Sequence, residues 1–260
     1  MGLGVLGPGT LLLGANRDES PGRPSAGPAR LRERPPVVGG RDLVAGGTWL
    51  AVREARVVTA LLNRRPADDA AIHDRSTLRS RGLLCLDAAA LGPPLETGGA
   101  LDPGTGEPYP ARLDAALRLA ARGTYAPCSL VGLEAGGPSW VIALEPDRAP
   151  RTRTLEPGWH VITHADLDDA DEPRTQSLLA RLRGARVRNA DEGFDLLRAL
   201  LRDHGDGGAT AVCVHRDRFP TVSSTLLALG GIAAPRYDHA NGPPCTATYA
   251  PHAALLGAAS

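Results

Sequence analysis

Alternating blocks of strand-type and helix-type apolar pattern predict an α+β fold in which sheets pack between layers of helices. Three observations carry that expectation. The blocks run strands, helices, strands, helices, strands along 260 residues, with no internal repeat. Hydrophobic residues make up 42% and charged residues 22%, the composition of a globular chain long enough to bury a core. The Pro- and Gly-rich stretches are dispersed, so a single domain over residues 1–260 is expected, with about the last 20 residues as loop or tail.

Gly2–Leu6 and Thr10–Gly14 are apolar runs joined by Gly7-Pro8-Gly9 and read as a hairpin. Residues 20–40 hold five prolines among Arg and Gly and read as loop. Thr48–Val52 and Val57–Asn63 form a second strand pair. Thr77–Leu91 reads as a helix with Leu78, Leu83, Leu84 and Leu86 near one side, and 92–110 as a long Pro/Gly loop. A further helix spans Ala111–Arg122 and stops at Gly123. Strands follow at Cys128–Leu133, Ser139–Leu144 and Trp159–Thr163. Asp171 can cap a helix to Arg183 with Pro173 in its first turn, and Asp191–Asp203 is amphipathic through Phe194, Leu197, Leu200 and Leu201. Thr210–His215 and Ser223–Leu229 read as the last strands.

Composition excludes several functions. Net charge is +0, so neither nucleic acid nor a membrane surface is an expected partner. All 29 basic residues are arginine, which removes Schiff-base and Walker-type lysine chemistry. Residues 2–14 lack the basic flank of a signal peptide, Leu6 breaks the myristoylation pattern, and no apolar run approaches the ~20 residues of a membrane span. Cys85, Cys128, Cys213 and Cys245 form no CxxC and read as reduced thiols of a cytoplasmic protein. The run Asp166, Asp168, Asp169, Asp171, Glu172 lacks the Gly and terminal Glu of an EF-hand and reads as a solvated loop. His160 and His164 would stand some 13 Å apart on a strand, too far for one small ion, so no metal site is expected.

The informative cluster is Asn16-Arg17-Asp18-Glu19 at the end of a strand, where rigid backbone can hold polar groups against a pocket. Arg17 offers a fork for a carboxylate and Asp18 can position it or accept a proton; alternatively the two pair with each other or with Arg41 and Asp42. Gly39-Gly40-Arg41-Asp42-Leu43 follows, then Gly46-Gly47-Thr48-Trp49-Leu50 and Leu62-Asn63-Arg64-Arg65. Together these segments resemble the NRDE family, also called the transport-and-Golgi-organisation family. Ser80-Arg81-Gly82, Tyr125–Gly132, Pro157-Gly158 and Thr221-Val222-Ser223-Ser224-Thr225 extend the likeness over residues 10–230.

The resemblance implies an N-terminal-nucleophile-hydrolase-like fold, a four-layer αββα sandwich. In hydrolases of that fold a Cys, Ser or Thr at the mature N-terminus attacks an amide, with its own α-amine as base. Family members usually carry Cys directly after the initiator Met, whereas this chain has Gly2. A hairpin centred on Pro8 sets facing residues to sum to about 16, so Gly2 would face Gly14 and Met1 would fall short of the Arg17–Asp18 end. Two expectations follow: an upstream start that supplies a Met-Cys, or true loss of the nucleophile.

Other departures bear on the pocket. Thr163-His164-Ala165-Asp166 stands where the family commonly has Ser-Asn-Ala, and Val222 where Arg is frequent. Asn63 can serve as an amide donor toward an oxyanion or simply cap its strand. The family's link to haem trafficking makes haem the candidate transported ligand, with no cofactor required; the thiols here, however, read Pro127-Cys128 and Pro244-Cys245 rather than Cys-Pro. No catalytic residue is assigned. The pocket candidates are Asn16, Arg17, Asp18, Glu19, Arg41, Asp42, Thr48, Trp49, Asn63 and His164. The expected function is handling of a small hydrophobic metabolite, haem or an acyl lipid. Its rivals are a C–N hydrolase with an upstream Cys and an interaction domain; oligomeric state is left open.

Overall fold

The computed structural model describes residues 1–65, 77–92 and 110–257. It opens with β1 (Gly2–Leu3), β2 (Thr10–Asp18), β3 (Ser25–Arg32), β4 (Val37–Asp42), β5 (Leu50–Arg53) and β6 (Val57–Asn63). Helices α1 (Arg81–Ala89) and α2 (Ala111–Ala120) follow, then β7 (Cys128–Glu134), β8 (Ser139–Leu144), β9 (Arg151–Leu155) and β10 (Gly158–Trp159). Next come α3 (Pro173–Leu182), α4 (Ala190–Leu201), β11 (Thr221–Gly230), β12 (Arg236–Ala240) and β13 (Ala250–Pro251).

The strands form two antiparallel sheets, ordered β10-β1-β2-β11-β12-β13 and β3-β4-β5-β6-β7-β8-β9. Strand alternation assigns each sheet two apolar faces. Leu11 and Leu13 of β2 meet Val38, Val52, Val58, Val131 and Val141 in the core between the sheets. Leu12, one position out of phase, packs on Phe194, Leu197 and Leu201 of α4. On the far side, Leu130, Trp140 and Ile142 pack against Leu84, Cys85, Leu113 and Ala116 of α1 and α2. The layers are therefore helices, sheet, sheet, helices, the sandwich expected of an N-terminal-nucleophile-hydrolase-like fold.

Several expectations are corrected. Residues 20–40 are not loop throughout, since β3 and β4 pair there. Pro28 fits because β3 is an edge strand and its ladder slips between Ala26 and Ala29. The first hairpin pairs Gly2 with Leu12 and Leu3 with Leu11, not Gly2 with Gly14. Its turn begins at Gly4 (φ 67°), whose N–H donates to Thr10 O, while Thr10 Oγ1 donates to Gly7 O. Helix α1 starts at Arg81 rather than Thr77 because the Ser80 side chain caps it by accepting from Leu83 N; Leu83 itself is 43% exposed. The cap of α3 is Glu172, not Asp171: with Pro173 at the first position, Glu172 accepts from both Thr175 N (2.6 Å) and Thr175 Oγ1 (2.8 Å).

Trp159–Thr163 stays in the ladder only at Trp159, because Asp168 Oδ1 accepts Val161 N–H and draws the chain away. Residues 210–215 form no strand. Ala211–Val214 are buried, but the N–H groups of Val212 and Cys213 both donate to Asp203 O, and Val214 N donates to Thr221 Oγ1. The predicted loop 92–110 lies almost wholly outside the described residues.

The approach between α1 and the β4–β5 connection leaves no room for a side chain at Gly47. A Cβ there would overlap the backbone of Gly82, and Thr48 N donates to Gly82 O (3.0 Å). Gly47→Ala should lower unfolding stability by roughly 1–3 kcal/mol in urea denaturation. Gly22→Ala, which meets open space, should stay within about 0.5 kcal/mol. Equal effects would show that this approach is not a constraint.

Candidate functional site

A cleft of about 1970 Å³ is lined by residues of both sheets and of α3 and α4. Its inner wall is apolar, with Leu13, Leu50, Val131, Leu133 and Ile162 among the contributors. Its rim is charged, and arginines outnumber carboxylates there. Asn16, Arg17, Asp18, Glu19, Asp42, Thr48, Trp49, Asn63 and His164 all line it; Arg41 does not, its guanidinium lying 3.5 Å from Leu31 O outside the lining.

The pleat of β2 deals the cluster to opposite faces. Arg17 continues the Leu11–Leu13–Ala15 side into the space between the sheets, where it is buried. Its guanidinium lies 4.2 Å from the Trp49 ring centroid, donates to Ser25 Oγ (3.1 Å) and faces Glu19 at 3.5 Å. Burial pulls its pKa below the ordinary arginine value against the opposing charges of Glu19 and Asp42. Asn16 and Asp18 face the helical layer instead. Asn16 Nδ2 donates to Leu201 O (2.9 Å) and Val212 O (3.0 Å), joining β2 to the end of α4. Asp18 Oδ1 accepts from Thr221 Oγ1 (2.7 Å), and burial raises its pKa despite that bond and the nearby Arg174 and Arg216.

Neither expected pairing of Arg17 with Asp18 nor of Arg17 with Asp42 forms. Asp42 holds Arg23 (2.6 Å) and accepts from Val44 N and Ala45 N, so it shapes its own turn. Thr48 is likewise local, its hydroxyl donating to Leu50 O (2.8 Å). Val222 sits at the bulge between the Thr221–Asp18 and Ser223–Arg17 pairings.

The carboxylate run is solvated in part: Asp171 is exposed and Asp166 half-exposed, but Asp166 binds two arginines, Asp168 a histidine, and Glu172 caps α3. Arg64 reaches Asp166 Oδ1 (2.6 Å), Ser129 Oγ and Ala165 O, and Arg151 binds the same carboxylate. Asp168 bonds His160 Nδ1 (2.6 Å) and Val161 N (2.7 Å), and His160 Nε2 lies 2.8 Å from Glu156 O. The Asp168 bond raises the His160 pKa above its ordinary value. Asp168 is held below the carboxylate range, its burial outweighed by the His160 and Val161 bonds. The spacing of His160 from Asp168 signalled nothing, because a loop, not a strand, brings them together.

His164 lies near Arg65 and Arg174, and its pKa is depressed by burial first and then by those cations, against the opposing charges of Glu172 and Asp169. Arg174 stands in the first turn of α3, and its Nε is buried without a hydrogen-bond partner among the described residues. At the other side of the cleft the Met1 α-amine is buried, donates to His160 O (2.8 Å) and has its pKa pushed down to about 6 by desolvation. Met1 backbone pairs across to His160, and Gly2 is enclosed by Trp159 and Val5; neither residue carries a nucleophile. From the Leu13 level, where this register puts Met1, the Arg17 level is about 13 Å along the strand.

Two sheets packed face to face with helices outside give the chain an N-terminal-nucleophile-hydrolase-like fold. Among solved structures the fold is similar to the Caenorhabditis elegans N-acylethanolamine-hydrolyzing acid amidase ortholog. The TM-score is 0.56 at 14% identity, covering 87% of this chain and 90% of that one. Residues 9–185 match the family described as Transport and Golgi organisation 2, and the chain belongs to that family. No curated protein matches it.

The His160–Asp168 pair makes stability pH-dependent with a definite sign. A raised histidine pKa stabilises the fold below the unfolded value and the gain is lost as pH rises through the folded one. The depressed Asp168 contributes above its unfolded pKa and is lost in acid. The Met1 amine, pushed down to about 6, contributes an opposite slope between about pH 6 and 8, so the pair is read as a difference: the stability advantage of the native chain over His160→Gln in urea should shrink as pH rises through that window. Parallel slopes in the two proteins would contradict the pair.

Proposed function

We propose that this chain is a cytoplasmic handler of a small amphipathic metabolite, an acyl lipid or haem, held with its apolar body between the sheets and its anionic or carbonyl head at Arg174, Arg65 and His164. The observation that carries the reading is the polarity of the cleft: apolar where both sheets contribute, arginine-rich at the rim, with a buried Arg174 Nε that bonds nothing among the described residues. The guanidinium of Arg174 can offer charge-assisted hydrogen bonds to a ligand oxygen once its buried Nε is uncovered, and the first turn of α3 adds its positive dipole end. Fatty carboxylates, N-acyl amides and haem propionates share the required chemistry. No helix among the described residues is long and apolar enough to cross a membrane.

Amide hydrolysis is the second reading, favoured by the fold likeness to an amidase. It needs a nucleophile at the start of β1, where this chain has Met1 and Gly2.

Titration of the purified chain with oleate, N-oleoylethanolamine and haem, followed by displacement of a fluorescent fatty acid, tests the proposal. At least one ligand should bind one-to-one, and Arg174→Gln should weaken it by about 10-fold or more, the loss of one charge-assisted hydrogen bond. Arg122→Gln, outside the cleft lining, should leave affinity unchanged. No binding, or binding indifferent to Arg174→Gln, overturns it; ethanolamine release from N-oleoylethanolamine would favour the hydrolase.

A further inference from the structure

Outside the cleft chemistry, four side chains from two irregular segments converge. His204, Cys213, His215 and Cys245 each offer a ligand atom, and all four atoms lie within 4.8 Å of one another. Cys213 Sγ stands 3.6 Å from both Cys245 Sγ and His215 Nε2, and His215 Nε2 stands 3.2 Å from Cys245 Sγ. With metal–sulfur and metal–nitrogen bonds of about 2.3 and 2.0 Å, the edges of a tetrahedral Cys2His2 centre are about 3.3–3.8 Å. The three separations have that size before any ion is added.

The local structure explains how such distant positions meet. Val212 N and Cys213 N donate to Asp203 O, which folds His204 back beside Cys213. Asp206 closes the intervening turn by accepting from Gly208 N (2.8 Å) and Thr210 Oγ1 (2.7 Å). Thr246 N and Ala247 N donate to Pro243 O, so Cys245 sits at the apex of a second turn. The rings of His204 and His215 meet edge to face at 5.0 Å between centroids. Neither segment has strand pairing or helix to hold it there.

We propose that His204, Cys213, His215 and Cys245 form a zinc site that clamps the segment after α4 to the segment after β12. Two thiolates and two imidazoles favour a soft, tetrahedral divalent ion over calcium or magnesium, and four protein ligands leave no open position, so the role is structural. The clamp would stiffen one wall of the cleft. Val212, Val214, Arg216 and Phe219 line it, and Val214 and Thr221 exchange backbone and side-chain bonds that continue to Asp18. The site stands on its own geometry and does not depend on which ligand the cleft takes.

Cobalt and zinc titrations of the full chain, stripped with chelator under reducing conditions, test it. One Co2+ per chain should give thiolate-to-cobalt charge transfer and the intense visible bands of a tetrahedral centre, and one Zn2+ should bleach them. Cys245→Ser and His215→Gln, at positions that are not buried, should each abolish stoichiometric uptake and the zinc-dependent rise in melting temperature while far-UV circular dichroism stays unchanged. A folded chain with no tetrahedral cobalt spectrum, or uptake unaffected by both variants, overturns the site. So does a Cys213–Cys245 disulfide that mass spectrometry finds persisting under reduction.

Discussion

Everything at the candidate site depends on the pleat of β2. Because successive side chains alternate, one strand supplies Leu11, Leu13 and Arg17 to the space between the sheets, and Leu12, Asn16 and Asp18 to the helical layer. The strand is held in that phase by its antiparallel ladder with β11, which runs from Thr10–Gly230 to Asp18–Thr221. A slip of one residue would expose both apolar sets and bury the wrong charges. Asn16 then anchors the strand to α4 through two carbonyls, and Asp18 anchors it to Thr221. The cluster that marks the family is thus partly a fastening: only Arg17 of the first three faces the inter-sheet space.

Charge at the cleft is organised by arginine, the sole basic side chain of this sequence other than histidine. Arg64 and Arg151 converge on Asp166, Arg23 on Asp42, and Arg17 lies on Trp49. A planar fork can satisfy several acceptors at once, which makes the buried guanidiniums of Arg17 and Arg64 tolerable. Those pairs build the walls. Arg65 and Arg174 act on His164 instead, pressing its pKa down along with burial against the opposing charges of Glu172 and Asp169.

Much of the fold was legible because its apolar periods are clean. β6, β7, β8 and β11 and the apolar side of α4 lie where alternation or helical spacing puts them. Failures came where burial and hydrogen bonding part company. Ala211–Val214 is as apolar as a strand, yet its N–H groups go to Asp203 and Thr221. Conversely β3 carries Pro28 and Arg30 on an exposed edge, and β9 reads Arg-Thr-Arg-Thr-Leu, so neither shows the apolar signal. The site was legible as a motif but not as a geometry. Which of Arg17 and Asp18 faces the core, the His160–Asp168 contact and the Arg174 position all depend on register and loop path. The cysteine–histidine cluster was hidden by sequence distance, since Cys213 and Cys245 approach only when the segments beyond α4 and β12 fold together.

The central claim is that an anionic head group settles against Arg65 and Arg174 beside His164. Nuclear magnetic resonance titration of the His164 ring, with and without bound long-chain carboxylate, tests it most directly. A carboxylate parked there adds negative charge beside His164, so its pKa should rise on binding. Saturating ligand with an unmoved His164 titration would contradict the account.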